Sequence, residues 1–236
     1  MWRYWLLCSV AVWGQPIEPY THSIAASPFL HSFGWGLGVL VQNWSDPQRG
    51  SFWMGDFSSY RTKYETRTRS AYRDQGGKDY VFGKLYYAYL LELVYGWQYI
   101  VAHRTPTTPL QVSLQLGIGP ALALLKPYFI EIAIPISSTQ AIIQIDTYKP
   151  GQHTYYDIVG EADFYLGFDK VRGVPGGLVQ VGALVDMGHS PALVRSLALG
   201  LRAQGFFQPI QTLHDKPKRS FWLSGYLAFY IGNAWK

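Results

Sequence analysis

The segment from Phe221 to Trp235 alternates between two kinds of side chain, and this alternation constrains the fold more than any other feature. The odd positions are Phe221, Leu223, Gly225, Leu227, Phe229, Ile231, Asn233 and Trp235. The even positions are Trp222, Ser224, Tyr226, Ala228, Tyr230, Gly232 and Ala234. Successive side chains of a β-strand point to opposite faces. One face of this strand is therefore almost wholly aliphatic and aromatic, and the other is small or hydroxyl-bearing. At about 3.3 Å per residue and a 45° tilt, the stretch covers about 30 Å, the thickness of a bilayer core. Phe221 and Trp235 would then sit at its two edges, where aromatic girdles belong.

The same period of two recurs along the chain. In Gln111 to Gly119, Val112, Leu114, Leu116 and Ile118 oppose Gln111, Ser113, Gln115, Gly117 and Gly119. In Leu91 to Val101, Leu91, Leu93, Tyr95, Trp97 and Tyr99 oppose Glu92, Gly96 and Gln98. Val179 to Met187 and Leu197 to Ala203 read alike, with Gln180, Asp186, Gly200 and Arg202 on their polar faces. Phe33 to Val41 sets Trp35, Leu37 and Val39 against Gly34, Gly36 and Gly38, and Ser51 to Tyr60 is a blurred partner. Tyr128 to Ile134 and Ile143 to Asp146 are shorter candidates, bringing the count to about nine. Such a pattern does not by itself say which face is wet. In a soluble barrel the apolar face is the core, and in a membrane barrel it meets lipid. The apolar faces run long enough for tilted membrane strands. The opposite faces carry Gly, Ser, Gln and Tyr with single charges, not the Lys/Glu mixture of a solvated surface. Both features point to the inverted arrangement.

Composition agrees. Charged residues are 15% of the chain and aromatics 17%, where about 25% charged is usual for a soluble domain. Tyr and Trp favour the membrane interface because each has an apolar body and a polar tip. No run of 18 or more apolar residues exists, which excludes helical spans. A membrane-embedded chain of this kind must then be a closed barrel, because lipid cannot satisfy open backbone groups. The expected fold is all-β: a single antiparallel up-and-down transmembrane barrel of 8–10 strands, with even parity.

At the N-terminus, Arg3 followed by the apolar run Tyr4 to Trp13 reads as a secretory signal, with Val12 and Gly14 preceding a cut that releases Gln15. The expected division is residues 1–14 as signal peptide and 15–236 as barrel. Cleavage would remove Cys8, the only cysteine, and Arg3, lowering the net charge from +5 to +4. That mild charge, spread over Arg61 to Arg73 and Lys216 to Arg219, carries no nucleic-acid signature.

Turn signals punctuate the strands at Trp44 to Gly50, His103 to Pro109 and Gly188 to Pro191. Two longer segments, Arg61 to Asp79 and Tyr148 to Pro175, stand apart. If Phe33 to Val41 is the first strand and both termini are periplasmic, Trp44 to Gly50 and His103 to Pro109 lie outside. Arg61 to Asp79 would then be periplasmic, a candidate docking segment for an envelope protein partner.

The last strand resembles the closing strand of outer-membrane barrels, which the barrel-assembly machinery reads as a glycine, alternating hydrophobics and a terminal aromatic. Gly225, Leu227, Phe229, Ile231 and Trp235 match that grammar, although Lys236 follows the aromatic. Further stretches resemble a group of uncharacterised, porin-like outer-membrane β-barrel domain proteins: Tyr80-Val81-Phe82-Gly83-Lys84-Leu85, Leu124-Leu125-Lys126-Pro127-Tyr128, Asp146 to His153 and Pro175-Gly176-Gly177-Leu178. The resemblance implies a Gram-negative outer membrane, its lipid and its assembly machinery as partners, and no known activity.

No nucleophile elbow, phosphate loop or zinc motif is present, so no enzyme and no cofactor are expected. The histidines, His22, His31, His103, His153, His189 and His214, are dispersed and read as loop or interface residues. The glycines at 34, 36 and 38 suit close packing inside a narrow barrel better than a dinucleotide loop. Glu92, Glu131, Asp146, Asp186 and Arg202 all lie on polar faces and are expected to share the lumen, with Arg202 pairing some of the acids. A hydrolase built on Glu92 and Glu131 is the remote enzymatic alternative. Three functions stay open: a structural barrel or an accessory to an envelope or secretion complex, a small-solute channel or binding barrel, and a soluble lipocalin-like carrier of an apolar ligand.

Overall fold

The computed structural model describes residues 22–105, 110–137, 141–187 and 192–235. The signal segment with Arg3 and Cys8, the turn residues Pro106–Pro109 and Gly188–Pro191, and Lys236 lie outside the described residues.

Thirteen strands follow in order among them: β1 (His22–His31), β2 (Gly34–Trp44), β3 (Arg49–Tyr60), β4 (Arg67–Thr68), β5 (Tyr80–Val81), β6 (Tyr86–Ala102), β7 (Gln111–Pro127), β8 (Phe129–Pro135), β9 (Ala141–Thr147), β10 (Ile158–Glu161), β11 (Arg172–Asp186), β12 (Leu193–Ile210) and β13 (Arg219–Trp235). Eight of them close a barrel in the order β1-β13-β12-β11-β7-β6-β3-β2. Every neighbouring pair is antiparallel. The barrel seals where β13 pairs β1, from Trp235 opposite His22 to Tyr226 opposite His31.

The alternation sorts as membrane physics requires. Leu114, Leu116 and Ile118 point outward, as do Leu91, Leu93, Trp97 and Tyr99, Leu197, Leu199 and Leu201, and Phe221, Leu223, Leu227, Phe229, Ile231 and Trp235. Ser113, Gln115, Glu92, Gln98, Gln180, Ser196, Arg202 and Ser224 point inward and are buried. Outward charges on the barrel, Arg49, Arg172, Arg195 and Arg219, stand only near strand ends. Large apolar side chains therefore cover the wall from end to end, which rules out the soluble carrier, whose apolar faces would have to point inward. Phe221 and Trp235 stand at opposite ends of the outward face of β13. Elsewhere on the wall Trp53 packs on Tyr95 at 4.8 Å, Tyr95 on Trp97 at 5.5 Å, and Phe57 stacks on Tyr89 at 5.8 Å.

Two expectations need correction. The first strand is β1, not Phe33 to Val41. Its apolar contrast is weak, since Ala25 and Phe29 face inward with Ser23 and Ser27. Pro28 also interrupts it; Pro lacks a backbone donor, and the β1–β13 ladder skips Ser27 and Pro28. The closing strand consequently pairs β1 rather than Phe33 to Val41. The added strand also reverses the assignment of loops. Ser45 to Gln48 share the end of the barrel that holds His22 and Trp235 with Ala102 of β6, Gln111 of β7, Asp186 of β11 and Leu193 of β12. The long segments 61–85, 128–137 and 141–171 occupy the opposite end. Short turns are periplasmic and long loops extracellular in such barrels, so Arg61 to Asp79 belongs to the outer end and Trp44 to Gly50 and His103 to Thr105 to the inner one; Pro106 to Pro109 lie outside the described residues.

The second correction concerns Tyr128 to Ile134 and Ile143 to Asp146. They form β8 and β9, but outside the barrel, in a three-stranded sheet ordered β10-β8-β9. Seven residues are too few for a tilted membrane strand, which needs about 9–11. Pro127 ends β7, and the Tyr128 N–H turns to the Leu85 carbonyl at 2.9 Å.

The barrel wall is uneven. β1, β2 and β3 have 10 to 12 residues, whereas β6, β7, β12 and β13 have 17 or 18 and β11 has 15. The longer strands exceed a bilayer crossing and carry the outer-end structure. Leu227 lies near the middle of the lipid-facing stretch of β13. Leu227→Arg is expected to destabilise the inserted barrel by about 2–4 kcal/mol, measured by urea unfolding in phospholipid vesicles and followed by heat-modifiable gel migration.

Candidate functional site

Eight strands enclose an interior just wide enough for side chains to fill it. Three layers fill this one. Toward the periplasmic end, Ser23 Oγ donates to Gln42 Oε1 at 2.9 Å. Gln42 Nε2 donates to Gln98 Oε1 at 2.6 Å, which also accepts from Gln115 Nε2 at 3.3 Å. Toward the outer end, aromatic rings close the section. Tyr60 stacks on Trp222 at 4.0 Å, while Phe33 meets Tyr60 at 4.9 Å and Phe206 meets Trp222 at 4.8 Å with their rings tilted.

Between them lies the charged layer. Arg202 projects from β12 and donates from Nη1 to Glu92 Oε2 at 2.9 Å, on β6. Its Nη2 donates to Asp56 Oδ2 at 2.5 Å, on β3, and its Nε to Gln180 Oε1 at 3.1 Å, on β11. Gln204 donates to the other Glu92 oxygen. The guanidinium lies 4.6 Å from the Tyr226 ring and 5.1 Å from that of Phe29. Arg202, Asp56 and Glu92 are each at most 3% exposed. An isolated charge this deep would cost many kcal/mol, and pairing with hydrogen bonds is what makes it tolerable. Two carboxylates face one guanidinium.

Glycines make room for these bulky groups. A Cβ on Gly38 would strike the Asp56 carboxylate, and one on Gly36 would lie 2.5 Å from the Phe29 ring. Gly96 and Gly117 flank Phe52, and Gly182 and Gly200 flank Tyr226. The Gly34-x-Gly36-x-Gly38 run is thus a packing device, as expected.

The lumen set is only partly as expected. Glu92 and Arg202 meet as anticipated. Asp186 lies on the inward face of β11 but at the periplasmic rim, 3.1 Å from Arg104 Nη2. Glu131 and Asp146 are not in the lumen at all. They lie on β8 and β9 at the outer end, where Asp146 accepts from Lys149 Nζ at 2.6 Å. The polar alternation of those strands is real, but it belongs to a small sheet outside the membrane. Glu92 and Glu131 therefore form no carboxylate pair, and the hydrolase alternative falls. The acid that completes the network, Asp56, was missed because Ser51 to Tyr60 alternates poorly. Its inward face carries Phe52, Met54 and Tyr60 beside Asp56 and Ser58.

Above the barrel, segments 61–85, 128–137 and 141–171 form a cap. Tyr80, Tyr128, Ile130, Ile132 and Ile158 make its apolar cluster. β4 and β5 pair through Arg67 opposite Val81 and Thr68 opposite Tyr80. Two of the stretches that resemble the porin-like barrel proteins, Tyr80 to Leu85 and Leu124 to Tyr128, meet at its base. Val81 N–H donates to Tyr128 Oη at 3.0 Å, Leu85 N–H to the Thr212 carbonyl at 2.8 Å, and His214 N–H to the Gly83 carbonyl at 2.8 Å. Gly83 has φ +75°, a conformation that L side chains adopt at a cost, and this permits the turn. Lys84 is buried there with Glu65, Nζ to Oε2 at 2.5 Å, with its ammonium 4.2 Å from the Tyr87 ring. Burial holds the Lys84 ammonium below its ordinary pKa, and Glu65 opposes that fall. Burial also lifts the Tyr80 and Tyr128 hydroxyls to about 12.

A closed antiparallel barrel with an apolar outer wall, aromatic edges and a packed polar interior defines a transmembrane β-barrel of the outer-membrane type. The solved structures similar to this chain are remote in sequence. They include Ail, the attachment invasion locus protein of Yersinia pestis, solved in complex with the heparin analogue sucrose octasulfate (9% identity over 91% of this chain and 96% of that one, TM-score 0.42). Neisserial surface protein A is similar at 9% identity over 90% and 94%, TM-score 0.42. A major outer membrane protein from Thermus thermophilus is similar at 10% identity over 89% and 98%, TM-score 0.41. No protein-family model and no curated protein matches the chain.

Two outcomes test the site. Arg202→Ala leaves two buried carboxylates without their cation and is expected to cost about 3–5 kcal/mol of barrel stability. The combination Asp56→Asn, Glu92→Gln, Arg202→Met is expected to recover most of that loss in the same unfolding measurement. Glu65→Gln is expected to open the cap to limited proteolysis while the heat-modifiable barrel persists, since it strands the Lys84 ammonium among aromatic rings.

Proposed function

We propose that this is an integral protein of a Gram-negative outer membrane, non-enzymatic and non-conducting, that serves as a rigid anchor for its outer-end cap. The packed interior carries the reading. Phe29, Phe52, Met54, Trp222, Tyr226 and Tyr230 are each at most 4% exposed, and Arg202 bridges opposite walls. A section filled in this way supports a plug rather than a passage.

What remains available to partners is the outside. Lipid takes the wall, and the barrel-assembly machinery would read the closing strand through Gly225, Leu227, Phe229, Ile231 and Trp235. Export by a cleaved segment at residues 1–14 is part of the same proposal. The cap is the surface for a protein partner. It includes the 61–79 segment and exposed apolar side chains on and near β9, Ile142, Ile143 and Ile145. At the outer end these groups face the cell exterior or a neighbouring envelope protein. An accessory role in the envelope is the function that this layout supports best.

In planar bilayers, the purified protein is expected to give no reproducible conductance. Steady unitary currents would overturn the plugged reading. For orientation, Tyr156→Cys in the cap, 75% exposed, is expected to react with a membrane-impermeant maleimide on intact cells. Asp46→Cys in the β2–β3 turn is expected to react only after lysis.

A further inference from the structure

The cap does not cover the whole mouth. On the low side of the wall, an open cleft lies between the end of β3 and the β12–β13 connection. Phe33, Tyr60, Ile210 and Trp222 form its apolar base. Its rim carries three cations, Lys63, Lys216 and Arg219, and no acid is among its lining residues.

Three features make this more than a basic surface. First, none of the three cations has a carboxylate within 4.0 Å among the described residues. The ion pairs there engage other groups; Glu65, the acid nearest to Lys63 in sequence, is consumed by Lys84. Second, Tyr64 gathers the cations. Its ring lies 4.6 Å from Lys216 Nζ and 5.2 Å from Lys63 Nζ, and so draws together ammonium groups from two separate segments of the lining. Third, Thr62 Oγ1 is buried in the lining with no hydrogen-bond partner among the described residues. Thr212 and Tyr64 add further hydroxyls.

Unpaired cations suit a phosphate or sulfate. Hydroxyls, together with an aromatic wall, suit the polar edge and the apolar face of a sugar ring. We propose that this cleft binds an anionic saccharide, with its phosphate or sulfate among Lys63, Lys216 and Arg219 and its ring against Tyr64 and Phe33. Such a group has two sources at the outer end: the phosphorylated sugar headgroup of an outer-leaflet lipid, or a free anionic glycan.

The test uses the full chain in detergent micelles, titrated by calorimetry with glucose 6-phosphate, glucose and inorganic phosphate. Saturable binding of glucose 6-phosphate, at least tenfold tighter than either glucose or phosphate, is expected. It should weaken at least tenfold in Lys216→Ala/Arg219→Ala and in Lys63→Ala, and weaken as salt rises. Lys149→Ala, a cation of the cap paired with Asp146 outside the cleft, should bind as the parent does. Heat-modifiable migration of each variant verifies that its barrel is folded. Equal binding by the parent and the folded cleft variants would overturn the proposal, as would equal affinity for glucose and glucose 6-phosphate. The source is read in vesicles. If the lipid headgroup is the occupant, vesicles containing lipid-borne phosphorylated diglucosamine block glucose 6-phosphate binding. If the occupant is a free glycan, binding persists in them. Either result supports the cleft as a site.

Discussion

A chain that crosses lipid as strands must leave no backbone group unpaired, because the hydrocarbon offers no water to take its place. Everything else in this protein follows from meeting that requirement with eight strands. Closure needs β13 to find β1, the two strands farthest apart in sequence. Closure also turns the usual logic of a protein inside out, since the apolar face must look outward. Polar side chains are then driven into an interior too narrow for bulk solvent. They have to satisfy one another there, which is why the glutamines form a relay and why Arg202 is tied to two acids and an amide.

The charged layer does more than fill space. In the ring of strands, β12 lies diametrically opposite β3 and three places from β6. Arg202 therefore spans the barrel to reach Asp56 and Glu92. A strand that slipped by one residue would turn its inward side chain toward lipid. A slip by two would keep the face but carry the carboxylate about 7 Å along the wall, out of reach of a guanidinium anchored elsewhere. The glycines impose the same condition sterically. Gly38 accommodates the Asp56 carboxylate, and Gly182 and Gly200 accommodate the Tyr226 ring, only in the observed register. Charge pairing and shape thus select one alignment, where the outward aliphatic side chains would accept several.

This division explains what could be read from the residues alone. The outward face is selected for one property, apolarity, and shows itself as simple alternation. Six barrel strands were legible on that basis, and Ser51 to Tyr60 only dimly. The inward face is selected for shape and pairing, which mix Phe52, Met54 and Asp56 on one strand and leave no period to read. Asp56 was accordingly invisible, and β1 was missed because its inward Ala25 and Phe29 erase the contrast. Glu131 and Asp146 show the converse error. β8 and β9 alternate well, but alternation reports a two-faced strand and not its place. Their length of seven residues was the signal that they could not cross a membrane.

The uneven wall gives the final step. A filled barrel has no working interior, so specific recognition moves to its rims. The periplasmic rim includes the β2–β3 turn, where Asp46 Oδ1 caps the Gln48 and Arg49 N–H groups at 2.9 and 2.7 Å. A turn whose polar groups are spent on itself has little left for a ligand. At the outer rim, the long strands β6, β7, β11, β12 and β13 stand above the bilayer, and their connections carry the cap and part of the cleft. The short strands β1 to β3 leave the low side open. Had all eight strands been of one length, the cap would either have lacked a base or have sealed the mouth entirely. Unequal strand length lets one eight-stranded barrel present a closed apolar cluster and an open cationic cleft side by side.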